Sequence, residues 1–190
     1  PTPMLYFADY YLKTDAALMI TGSHNPSEYN GFKMVMNKHS FYSENIQKFK
    51  TILKTIKLEK KEGSIEHIDI IDAYVERVLK NISIKNKLKI SWDIGNGAMG
   101  VIINKLISKL KNTENILLNQ DVDGNFPNHH PDPTVPKNME QLIESVKKNK
   151  CDIGLAFDGD GDRLGVVDNS GKIVWADQYM LILCSEIANL

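Results

Sequence analysis

Ile153-Gly154-Leu155-Ala156-Phe157-Asp158-Gly159-Asp160-Gly161-Asp162-Arg163 is an apolar run that ends in three aspartates at alternate positions. A short apolar run bounded by turn formers reads as a buried strand, so the carboxylates stand where that strand leaves the core and becomes a loop. The two intervening glycines allow backbone angles that a side chain resists, which lets successive carboxylates turn inward. Three oxygen ligands on one short loop suit a hard cation that keeps positions for water or phosphate, Mg²⁺ in preference to Zn²⁺ or copper. The alternative is a solvated acidic turn. Counted from Asp158, the positions where a calcium-binding EF-hand needs Gly and Glu hold Arg163 and Asn169, which argues against calcium sensing.

The neighbouring segments place this strand in a sheet. Met139, Leu142, Ile143 and Val146 recur at helical spacing before it, and residues 166–174 after it read as a hairpin turning at 169–171. Earlier, residues 88–94 read as a strand, Gly95-Asn96-Gly97-Ala98-Met99-Gly100 as a tight turn, and 101–110 as a helix with Ile103, Leu106, Ile107 and Leu110 on one face. That turn matches G-x-G-x-x-G, and Asp121 and Asp123 lie about twenty residues further on, as in a dinucleotide site; close strand–helix packing is the other explanation of its glycines. Strands alternating with helices imply an α/β layered fold.

The first third is organised similarly. Residues 4–12 read as a helix with Pro3 in its first turn, 16–20 as a buried strand, and 31–36 as a second strand. Ile46, Phe49, Ile52, Leu53 and Ile56 mark a helix over 44–57, residues 59–64 a charged connector, and Ile71, Tyr74, Val75, Val78 and Leu79 another helix. A domain boundary is expected near 65–72. Four prolines between 127 and 136 make a fixed crossing, and the adjacent His129 and His130 do not suggest a second metal site. Residues 176–190 read as helical and as the start of a further domain.

Between the first two strands, Thr21-Gly22-Ser23-His24-Asn25-Pro26-Ser27-Glu28-Tyr29-Asn30-Gly31 is built from loop formers. Side chains of adjacent residues diverge, so Ser23 and His24 are not expected to form a hydrolase's nucleophile–base pair, and a protease or esterase is disfavoured. By itself the segment is an ordinary turn. Its company makes it a candidate site: a hydroxyl, a histidine and Lys33 near one strand end, the lysine being otherwise a solvated strand residue.

Composition narrows the function. The 190 residues are 42% hydrophobic, ample for packed cores, and a net charge of −1 offers no electrostatic case for nucleic acid or an anionic membrane. The only arginines are Arg77 and Arg163, so Arg163 beside the acids is either their salt-bridge partner or a bidentate phosphate clamp. Cys151 and Cys184 form no disulfide framework, and no uncharged apolar run reaches membrane-spanning length, so a soluble, cytoplasmic chain is expected. Opening on Pro1-Thr2-Pro3 without Met and closing inside a helix-like run, the chain reads as a fragment.

Residues 21–26 resemble the phosphoserine loop of the α-D-phosphohexomutases, the phosphoglucomutase/phosphomannomutase family, and residues 158–163 resemble its metal loop. Asp93-Ile94-Gly95-Asn96-Gly97 and the stretch 123–131 are similar to its second-domain signatures. The resemblance implies α/β/α sandwich domains with mixed sheets, truncated at both ends: the latter part of domain one over 1–67, domain two over 68–172, and the start of domain three over 173–190. It implies an enzyme that interconverts hexose 1-phosphates and 6-phosphates of mannose, glucose or both through a hexose 1,6-bisphosphate. Ser23 would carry the phosphoryl group, Mg²⁺ would be held by Asp158, Asp160, Asp162 and a phosphoserine oxygen, His24 and Lys33 would stabilise charge or move the hydroxyl proton, and Arg163 would contact substrate. The expected partner is a sugar phosphate, and nothing bears on oligomeric state. Loops that the family uses to hold the sugar and its distal phosphate have no counterpart here, so weak or absent activity alone is expected, and a non-catalytic remnant is the alternative. The resemblance makes the 95–100 turn structural and a dinucleotide-dependent oxidoreductase the less favoured reading.

Overall fold

The last four residues of β4 (Leu88–Asp93) are all buried, because its alternate side chains face two different layers of the larger unit. Ile90 and Trp92 face a core completed by Val75 of α3 (Ile71–Leu79) and by Ile103 and Leu106 of α4 (Ile103–Lys109). Ser91 points the other way, where its hydroxyl meets Ser145 of α5 (Glu140–Asn149) at 2.7 Å. On that side Leu142 and Val146 of α5 pack with Ala156 of β6 (Ile153–Phe157) and Val167 of β7 (Leu164–Asp168). Gly154 is small because α5 lies on it: a Cβ there would meet Val146 Cγ2 at 2.7 Å. The unit is therefore helix, sheet, helix.

The computed structural model describes residues 1–57 and 62–188. Among these, the larger sheet has the order β5-β4-β6-β7-β8, with β5 (Thr113–Leu118) and β8 (Ile173–Val174) at its edges. β4 runs parallel to β5 and β6, whereas β6, β7 and β8 are antiparallel, so the sheet is mixed as expected. The parallel β4–β6 pairing puts the ends of both strands, Asp93 and Phe157, at the same edge. The loops that follow them, 94–97 and 158–163, consequently meet.

A smaller antiparallel sheet comprises β1 (Ala16–Ile20), β2 (Phe32–Met36) and β3 (His39–Phe41), with α1 (Thr2–Tyr11) against β1. β3 has no counterpart in the sequence reading, because a three-residue, mostly exposed strand shows no period. α2 (Glu44–Thr55) joins it through Phe41 and Phe49, whose ring centroids are 4.8 Å apart. Leu18, Ile20 and Phe32 remain more than half exposed. α1 links the units: Phe7 meets Tyr74 of α3 edge-on at 5.4 Å, and Met4 packs on the larger core.

The expected connector over 59–64 lies partly, at 59–61, outside the described residues, as do the last two positions of the expected terminal helix, seen as α6 (Ala176–Ala188). No described helix is long and apolar enough to cross a membrane.

Candidate active site

β6 delivers the three aspartates. Asp158 is fully buried and Asp160 nearly so, Asp162 lies outside, and one oxygen from each lies within 4.8 Å of the others. Asp158 folds the loop back on itself, its Oδ1 accepting the backbone N–H groups of Asp162 and Arg163, each at 3.0 Å. Gly161, at φ +72°, permits that turn.

The hairpin of β1 and β2 brings the second half. Register pairs Met19 with Lys33 and Ile20 with Phe32, so the 21–31 loop and Lys33 share one end of the small sheet. Ser23 sits at φ +53°, in the left-handed region, and its Oγ lies 3.3 Å from Asp158 Oδ2, 3.3 Å from Asp160 Oδ1 and 3.3 Å from His24 Nδ1. Contrary to the divergence expected of neighbouring side chains, the Ser23 and His24 groups converge, and the left-handed conformation of Ser23 itself is the reason. Lys33 Nζ bridges Asp160 Oδ2 at 2.7 Å and Asp162 Oδ2 at 2.5 Å. Arg163 is held only loosely, with Nη1 3.8 Å from Asp132 Oδ1 and Nε 4.0 Å from Asp158 Oδ2, so its partly exposed guanidinium keeps donors to spare.

All seven sequence candidates therefore meet. Thr2, Thr21 and Asp132 were not among them. Thr2 Oγ1 and Thr21 Oγ1 both donate to Asp160 Oδ2, at 2.7 and 3.1 Å. Thr21 lies inside the motif, where it could have been marked; Thr2 and Asp132 carry no local signal.

The charges are balanced unequally. Burial pushes the Asp158 carboxyl above its ordinary range, and the Asp160 and Asp162 charges push it further against the two backbone N–H groups. Burial also pushes Asp160 upward, but hydrogen bonds from Lys33 and Thr2, the Lys33 charge and the Thr21 hydroxyl outweigh it and hold that carboxyl below its ordinary range. Burial opposes the charge on Lys33, yet its bonds to Asp160 and Asp162 keep the ammonium proton more firmly than usual. Three carboxylates and a serine hydroxyl form an all-oxygen donor set, which fits a hard divalent cation such as Mg²⁺.

The 95–100 turn buttresses this loop. Ala98 N–H donates to Gly159 O at 2.9 Å, and a Cβ on Gly97 would stand 2.7 Å from that oxygen. The space that a pyrophosphate takes at a dinucleotide turn is filled by the chain's own backbone. Beside it, buried Asp93 accepts from His129 Nε2 at 2.9 Å and from Asn119 Nδ2 at 3.0 Å. The bond to Asp93 raises the His129 pKa above its ordinary 6.5 against the opposing effect of burial. A raised value means that the charged pair stabilises the fold fully below about pH 6.5 and that this contribution is lost as pH rises through the folded value. His129→Asn is expected to cost about 1.5–3 kcal/mol in acid and less in alkali. Thermal melts of both proteins between about pH 5.5 and pH 8.5 check this; a pH-independent difference would contradict it.

Comparison with known proteins relates both parts of the chain to one family. Residues 1–60 match the family described as phosphoglucomutase/phosphomannomutase, alpha/beta/alpha domain I, and residues 72–171 match alpha/beta/alpha domain II. A phosphomannomutase/phosphoglucomutase of Pseudomonas putida is 48% identical over 187 residues, covering 98% of this chain and 40% of that protein. A phosphoglucomutase of Neisseria gonorrhoeae is 42% identical over 190 residues, covering 99% of this chain and 41% of that protein. The crystal structure of a phosphoglucomutase/phosphomannomutase family protein from Burkholderia thailandensis superposes with a TM-score of 0.86 at 41% identity, covering 93% of this chain and 38% of that one. The chain thus spans about 40% of the length of the curated relatives it matches.

Proposed function

The chain belongs to the phosphoglucomutase/phosphomannomutase family, and on that premise we propose that it is the phosphoryl-carrying part of a mutase that interconverts hexose 1-phosphate and hexose 6-phosphate. Mannose, glucose or both are the proposed hexoses, and a 1,6-bisphosphate is the intermediate. The observation that carries this reading is the convergence on Ser23 Oγ of two carboxylates and an imidazole, each at 3.3 Å.

A phosphoserine bears a charge of about −1.5 to −2, so it is tolerated beside three aspartates only with added positive charge. Asp158, Asp160, Asp162 and an oxygen on Ser23 would hold Mg²⁺, which when bound neutralises that charge and polarises the phosphoryl group. In the first half-reaction a sugar hydroxyl oxygen forms a bond to phosphorus as the Ser23 Oγ–phosphorus bond breaks. His24, next to Oγ, takes the sugar hydroxyl proton and returns it to the departing serine oxygen. In the second half-reaction Ser23 Oγ attacks the other phosphate of the 1,6-bisphosphate, its proton passing through His24 to the sugar oxygen released. Lys33 holds Asp160 and Asp162 in place and adds positive charge, and Arg163 offers its fork of donors to a substrate phosphate.

The division 1–67, 68–172 and 173–190 belongs to this proposal; the separate sheets within 16–41 and 88–174 support the division between the first two segments, while the larger sheet runs through β8, two residues past the 172/173 boundary. A cytoplasmic location belongs to it too, supported by the two unpaired cysteines, one of them exposed.

Incubating the chain with glucose 1,6-bisphosphate or mannose 1,6-bisphosphate and MgCl₂, then mass spectrometry of the Ser23 peptide, tests the proposal. Phosphate on Ser23 that requires Mg²⁺ and is lost in Asp160→Asn is the expected result. A folded chain that stays unlabelled with both sugars would leave a non-catalytic relative that only binds metal or sugar phosphate.

A further inference from the structure

Each carboxylate of the cluster commits one oxygen to the protein and keeps the other. Asp158 Oδ1 accepts two backbone N–H groups, whereas its Oδ2 faces Ser23 Oγ. Asp162 Oδ2 accepts from Lys33 Nζ. Asp160 is the most constrained: Oδ2 accepts from Thr2 Oγ1 at 2.7 Å, Lys33 Nζ at 2.7 Å and Thr21 Oγ1 at 3.1 Å, and Oδ1 alone faces Ser23.

Resting on the reading that this cluster holds Mg²⁺, we propose that Thr2 and Thr21 are positioning residues which, with Lys33, restrict Asp160 to a single ligand oxygen and so make the site discriminate against Ca²⁺. Mg²⁺ demands a small, near-octahedral shell at about 2.0–2.1 Å and keeps several waters, whereas Ca²⁺ takes about 6–8 oxygens and readily accepts a carboxylate through both. Three carboxylates limited to one oxygen each, with Ser23, fall short of that larger shell. Swinging Asp160 Oδ2 inward would break three donor contacts at once.

The local structure makes the restriction rigid. Thr2 is fully buried and holds Asp160 twice, its hydroxyl on Oδ2 and its N–H on the Asp160 carbonyl at 2.8 Å. That carbonyl satisfies an otherwise unpaired N–H at the start of α1, so backbone and side chain are fixed together. Thr21 Oγ1 accepts the Ser23 N–H at 2.8 Å while donating to Asp160, which ties the serine loop to the same carboxylate. Valine replaces either threonine with nearly the same shape and no hydroxyl.

Calorimetric titration of the chain with MgCl₂ and, separately, CaCl₂ tests the proposal in the original protein, Thr2→Val, Thr2→Ser, Thr21→Val and Asp160→Asn. Losing an outer partner of a metal ligand changes affinity by about 10–100-fold, so each valine variant is expected to raise the Ca²⁺-to-Mg²⁺ affinity ratio by about tenfold, and Thr2→Ser to leave it near the original. Should Thr2→Val not fold by circular dichroism, Thr21→Val decides the matter. Mg²⁺ binding by the original chain with an unchanged ratio in the folded valine variants overturns this inference and leaves the proposed function intact. An original chain that binds neither ion overturns both.

Discussion

Asp158→Asn is expected to abolish divalent-metal binding while leaving the metal-free fold at least as stable as before. Asp158 is fully buried, and its Oδ1 takes the N–H groups of Asp162 and Arg163 that shape the loop. An asparagine oxygen can accept both bonds, so the turn survives. The amide nitrogen then replaces Oδ2 beside Ser23, and a donor stands where the cation needs an acceptor. Losing an outer partner already weakens metal binding by about 10–100-fold, and losing a direct ligand is expected to exceed that. Stability should move the other way. Burial, with the Asp160 and Asp162 charges, raises the Asp158 pKa, so the folded state holds that proton more tightly than the unfolded chain does. The ionised carboxylate therefore lowers stability progressively as pH rises from the ordinary 3.8 through the folded value, and a neutral amide removes that loss. Thermal melts with and without MgCl₂ separate the two effects, because a ligand bound only by the folded state raises the midpoint. A variant whose midpoint Mg²⁺ raises as much as in the original protein would remove Asp158 from the ligand set.

Gly159→Ala should slow the phosphorylation of Ser23 by about a hundredfold, the effect of displacing a reacting group by roughly 1 Å. An added Cβ would run into the carbonyl oxygen of Ser23, which is backbone and cannot swing aside. The acidic loop has no retreat, since the Gly159 carbonyl already receives the Ala98 N–H and lies against Gly97. The serine loop must give way, lengthening the contacts of its Oγ with Asp158 and Asp160. The three aspartates remain together on their own loop, so Mg²⁺ affinity should change far less than the labelling rate. A time course of Ser23 labelling checks this, and labelling at the original rate would show that the close approach is dispensable.

Much of the fold was readable locally. Hydrophobic runs at 88–94 and 153–157 and helical stripes such as Met139, Leu142, Ile143 and Val146 follow from backbone period and burial, which neighbouring residues decide. The three aspartates were legible for the same reason, being contiguous and spaced by glycines. Ser23, His24 and Lys33 gained roles only through the family resemblance; by their own chemistry they are polar residues near a strand end, because a serine in a turn looks the same whatever it faces.

Their meaning depends on contacts across 127 to 137 residues of chain, made because parallel β4 and β6 present their loops at one edge and α1 ties the small sheet to that edge. The glycines of 95–100 illustrate the division. Sequence alone identified a turn that tolerates close approach, and only the tertiary structure put Gly159 rather than a nucleotide against it. Thr2 is the extreme case, a hydroxyl with no periodicity, charge or motif to mark it. By itself the sequence determined the segments and the kinds of chemistry their side chains can do, since those depend on local backbone preference and functional groups. The folded chain decided which groups share a charge, which carboxylate oxygen is left free, and that Ser23 and His24 converge, since hydrogen bonds and electrostatic forces act through space at a few ångströms, whatever the separation along the chain.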